Sequence, residues 1–78
     1  MNTELIAMYR KKKKIPHAEM ARRLNMHIAA YQLREWGKTR ISADEFAKIV
    51  EVLELTNDEA MEILQSPADT DTVSWYRK

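Results

Sequence analysis

Seventy-eight residues, 45% of them hydrophobic and none of them cysteine, make one small domain without disulfides or a cysteine-based zinc site. Two histidines, His17 and His27, are too few for a metal cluster, and no apolar run approaches the roughly 20 residues of a membrane span. The formal net charge of +1 hides an asymmetry: residues 1–40 carry ten basic groups against three acidic ones (+7), and residues 41–78 three against nine (−6). Such a split suggests a basic face for a polyanion and an acidic face turned away from it.

Asn2 or Thr3 caps a first helix that runs to about Lys13, with Leu5, Ile6, Met8 and Tyr9 offering its buried side. The lysines then gather at the helix C-terminus, where cations suit the helix dipole. The basic run Arg10 to Lys14 follows the apolar residues, the reverse of a signal peptide. A soluble cytoplasmic protein is expected, associated with the nucleoid if its partner is DNA.

The segment His17 to Gly37, HAEMARRLNMHIAAYQLREWG, reads as two short helices pinched around Asn25. Pro16 suits the first turn of the second helix, where its missing N–H costs nothing. Ala21 is the small residue needed where the helices cross, and Asn25 tolerates the positive φ of a tight turn. Met20, Leu24, Met26 and Tyr31 supply the inner faces. His27 is the expected cap of a third helix that runs to about Trp36, ended by Gly37. This spacing lifts the third helix from the body, as a helix-turn-helix does to enter a DNA major groove.

Ser42-Ala-Asp-Glu45 is a capping box, with Ile41 placed to staple onto Phe46. Phe46, Ile49, Val50 and Leu53 then repeat at helical spacing. Thr56-Asn-Asp-Glu59 is a second box, opening a fifth helix with Met61, Ile63 and Leu64 as core candidates. The expectation is an all-α domain over residues 1–65 and a tail over 66–78. In that tail Ser66-Pro67 ends the regular structure, and Ala68 to Val73 is a polar linker. Trp75 and Tyr76 either fold back on the subunit or pack across a dimer interface, the second being favoured.

Over residues 3–65, the five helices with the motif in helices two and three resemble the lambda-repressor/Cro-type (XRE-type) helix-turn-helix family. The following GKTRISADEF resembles a group of short Cro-like phage regulators. The resemblance implies a five-helix lambda-repressor-like fold and a sequence-specific DNA-binding transcriptional regulator, without catalysis or cofactor. Its implied partner is a double-stranded DNA operator, met by a homodimer at least on DNA. His17 stands where the family has a glutamine that touches backbone and bases. His27, Ile28, Ala29 and Gln32 lie on the outward side of helix three. Gln32 is suited to adenine, and Ile28 or Ala29 to a thymine methyl. Lys38, Thr39 and Arg40 fall near phosphates.

The sequence also departs from the family pattern. Pro16-His17 replaces a Ser/Thr cap with glutamine, Asn25 replaces the turn glycine, and Arg34 occupies an inward slot late in helix three. Either that helix is rotated so that Leu33 and Trp36 fill the core, or Arg34 snorkels past it. The cost of burying an unpaired guanidinium favours rotation. A thin base-reading face keeps open a second function, a protein-binding module that meets a partner regulator as antirepressor or co-repressor. With Gly37 the one glycine and no nucleophile–base spacing, no enzyme is indicated.

Overall fold

The structure is a computed structural model that describes residues 1–65, so the readings of the linker, Trp75 and Tyr76 lie outside the described residues. Five helices follow in order: α1 Thr3–Lys12, α2 His17–Arg23, α3 Ile28–Glu35, α4 Ala43–Leu53 and α5 Asn57–Gln65. The chain is all-α among the described residues.

Local chemistry explains most of the boundaries. Asn2 Oδ1 accepts the Glu4 N–H at 3.0 Å and opens α1. Pro16 is the N-cap of α2 and not part of its first turn as expected. Without a side-chain acceptor, it opens the helix through its carbonyl, which accepts from Glu19 and Met20. Asn25 turns the chain at φ 58°, and the next N–H, Met26, donates to the Ala21 carbonyl at 2.9 Å. His27 caps α3, its Nδ1 accepting from the Ala29 N–H. Gly37 ends α3 at φ +78°, followed by Lys38 N–H closing back on the Leu33 carbonyl at 2.9 Å. Both capping boxes are reciprocal: Ser42 with Glu45, and Thr56 with Glu59.

One core joins all five helices. Ile6, Tyr9, Met20, Ala21, Leu24, Tyr31, Phe46, Ile49, Leu53 and Ile63 are buried, with Ile41, Met26 and Val50 packed at the edge. The chain closes on itself where the Asn2 N–H donates to the Ile63 carbonyl at 2.8 Å, setting α5 beside α1.

Three expected core residues face outward: Met8, Met61 and Leu64. A short helix on a small core buries one narrow stripe. In α1 that stripe is Ile6, Tyr9 and Arg10, which leaves Met8 to the side. In α5 it centres on Ile63, with Ala60 one turn earlier. The favoured rotation of α3 is also overturned. Tyr31 and Glu35 fill the inward positions, while Leu33 and Trp36 are 39% and 58% exposed. Arg34 is half-buried, its Nε donating to Glu45 Oε1 at 3.0 Å and its Nη1 to the Ala30 carbonyl at 2.9 Å. Its guanidinium is paired, so the cost that argued for rotation does not arise.

Candidate nucleic-acid interface

α2 and α3 pack against one another across the Asn25 turn, with Ala21 buried at their junction. A larger side chain there would force the helices apart. The face of α3 opposite Tyr31 and Glu35 is thereby left open to solvent. His27, Ile28 and Ala29 are exposed at its start, and Gln32 is half-buried on its shoulder. Lys38 and Arg40 are exposed in the loop beyond Gly37, with Thr39 half-buried between them. Seven of the eight sequence-derived contact residues thus lie on one helix with its cap and following loop.

His17 is drawn elsewhere. Its Nε2 lies 2.9 Å from Glu35 Oε1, and because a carboxylate oxygen only accepts, Nε2 carries the proton. Its ring is tilted against Tyr31, with 6.1 Å between centroids. The residue offered as a backbone and base contact is therefore engaged in joining α2 to α3.

Glu35 is the hub of that joint. Its side chain is 3% exposed, yet both oxygens are saturated. Oε2 accepts from Arg10 Nε at 2.7 Å and from the Tyr31 hydroxyl at 2.6 Å. Oε1 accepts from Arg10 Nη2 at 3.1 Å and from His17. The remaining Arg10 donor, Nη1, reaches the Ile15 carbonyl at 2.8 Å. Three helices and the α1–α2 loop are thus fixed by one carboxylate, which sets the angle at which α3 stands. Burial pushes the Glu35 pKa up, but donation by Arg10, Tyr31 and His17 outweighs it and holds the carboxyl below its ordinary value. Hydrogen bonding to Glu35 raises Arg10, and burial together with Glu35 raises Tyr31. Arg10 and Glu35 were absent from the sequence-derived core. The available signal was positional: Arg10 lies four residues after Ile6, and Glu35 four after Tyr31.

Internal pairing also trims the basic face. Arg10 is committed to Glu35 and Arg34 to Glu45. Arg22 and Arg23 both hold Glu19, whose carboxyl is lowered to about 2 by their hydrogen bonds. Lys13 lies 3.5 Å from Glu54. The cations of residues 1–40 that form no ion pair among the described residues are Lys11, Lys12, Lys14, Lys38 and Arg40. They sit at the C-terminal end of α1 and just past α3.

Two short helices crossing at a buried alanine, with an open second helix and cations after it, define a helix-turn-helix domain. A family model described as helix-turn-helix matches residues 6–59, and the chain belongs to that family, of the lambda-repressor/Cro (XRE) type. No curated protein and no solved structure matches the chain. Membership makes the protein a DNA-binding regulator of the XRE type. None of its described helices is long and apolar enough to cross a membrane.

Proposed function

We propose that this protein is a sequence-specific, Cro/repressor-like transcriptional regulator that sets α3 in the major groove of an operator, as a dimer on paired half-sites. The observation that carries the reading is the placement of α3. It is locked from behind by the Glu35 hub and open in front, and Lys38 and Arg40 follow it directly, where phosphates would flank a groove-bound helix. His27, Ile28, Ala29 and Gln32 are the base-facing residues in this reading. Lys38, Thr39 and Arg40 act on the backbone, and His17 serves as a positioning residue through Glu35.

Selection from random duplex DNA tests the proposal. The expected outcome is an enriched motif with two related half-sites about one helical turn apart. No enrichment, together with retention on DNA that does not change with salt, refutes it.

A second reading draws support from the apolar outward centre of α3, namely Ala29, Leu33 and Trp36. Such a ridge suits a groove on a partner regulator, making the domain an antirepressor or co-repressor. Salt-dependent retention on heparin or random DNA separates the two, because a module that binds only protein has no use for the free cations.

A further inference from the structure

The outward side of α3 carries almost no hydrogen-bonding capacity. At about 100° per residue, Ala29 and Leu33 fall within about 40° of one another, on the side opposite Tyr31 and Glu35, and the C-cap Trp36 lies about 60° round from Leu33. Ala29 and Leu33 are one turn apart, and both are exposed. Gln32, on the shoulder, is the nearest polar side chain that α3 can turn toward a base. Arg34 is held back by Glu45 and the Ala30 carbonyl, and Glu35 is buried. The ridge therefore cannot satisfy a carbonyl or amino group at the base edge it meets. Any such group pressed against it would lose its water without replacement, which is costly. One major-groove feature suits it, the pyrimidine 5-methyl group, which thymine carries and unmodified cytosine lacks. The flanking cations Lys38 and Arg40 make DNA the matching occupant of this face, in preference to an apolar protein groove.

We infer that Leu33 is a specificity-determining residue that reads a pyrimidine 5-methyl group, with Ala29 leaving room for the base to approach. This rests on the DNA-binding reading above and narrows it: the preferred site places a methylated pyrimidine opposite Leu33, beside the position read by Gln32. Thymine and 5-methylcytosine present the same group, so the same contact would make binding sensitive to cytosine methylation. Leu33 is not among the contact residues expected from the sequence, where the favoured rotation of α3 would turn it toward the core.

The test uses the full chain and the site recovered by selection, with each thymine replaced in turn by deoxyuridine. At the position facing Leu33 the loss should be about fourfold, the value of burying one methyl-sized group. Placing cytosine and 5-methylcytosine at that position gives the second arm. A fourfold preference for the methylated base there supports reading of the methyl group itself, and equal binding of cytosine and 5-methylcytosine overturns the claimed sensitivity to cytosine methylation. Leu33 is exposed, so Leu33→Ala should keep the fold by circular dichroism, while the thymine preference at that position falls to about one. Equal binding of thymine and deoxyuridine at every position, with selectivity otherwise intact, overturns the inference and leaves the regulator reading standing. So does a preference that survives in Leu33→Ala. Failure to select any site would instead refute the regulator reading itself.

Discussion

Replacing Glu35 by glutamine keeps the shape of the side chain and removes its charge. The change is severe in this setting. Four donors from Arg10, Tyr31 and His17 converge on the carboxylate. In Glu35→Gln one oxygen becomes an NH2 group that faces donors, and the Arg10 guanidinium is left buried without its counter-charge. Breaking a buried pair on one side costs about 3–5 kcal/mol. A chain of this length has roughly 4–12 kcal/mol in all, at about 0.05–0.15 kcal/mol per residue. A quarter or more of the stability should vanish, with Tm falling by roughly 12–40 °C at about 4–8 °C per kcal/mol. Urea and thermal unfolding followed by far-UV circular dichroism measure this directly. Removing both charges in Arg10→Met/Glu35→Leu should cost less than Glu35→Gln alone, because no isolated charge remains. The pKa of Glu35 is lowered by folding, so the unfolded chain binds its proton first as the pH drops. Its contribution is complete above the ordinary carboxylate value of 4.5 and is lost as pH falls through the lower folded-state value. Glu35→Gln should flatten that acid limb. A loss below about 1 kcal/mol, or an unchanged acid limb, would refute the assignment of Glu35 as the hub.

Other substitutions probe other links. Lys38→Ala/Arg40→Ala should weaken binding to all duplexes alike and flatten the log–log salt slope by roughly one to two units, measured by titration at several salt concentrations. An unchanged slope would remove both from the phosphate contacts. Ala21→Leu should overpack the α2–α3 junction, lowering stability by about 1–3 kcal/mol and DNA affinity with it; normal melting and binding would refute that junction. Gly37→Ala has room, since its Cβ would meet Thr3 Oγ1 at 3.6 Å, but φ +78° strains it by about 1–2 kcal/mol, a loss that urea unfolding resolves. Deleting residues 70–78 should shift the protein toward monomer in sedimentation over a concentration range and weaken operator binding, as a dimer contact through Trp75 and Tyr76 requires. Unchanged mass and affinity would make the tail a passive extension.

The helix boundaries were legible from the chain alone because caps and turns act over four residues or fewer. Ser42 finds Glu45, Thr56 finds Glu59, and His27 finds the Ala29 N–H whatever the rest of the molecule does. Asn25 and Gly37 take positive φ for equally local reasons. The charge asymmetry was legible too, but not which cations remain free. Arg34 meets Glu45 and Arg10 meets Glu35 only after the helices are arranged in space. Helical periodicity names a stripe, and a marginal apolar set such as Leu5, Ile6, Met8 and Tyr9 allows more than one. The docking of α5 against α1 chose the stripe containing Ile6 and Tyr9 and left Met8 outside. For α3 the decision turned on long-range pairing. With Arg34 satisfied by Glu45, and Glu35 by Arg10 and His17, polar side chains could take the inner positions, and Leu33 and Trp36 were turned to the surface. The cost of burying a charge depends on its partners, and those partners lie 11 and 25 residues away in sequence.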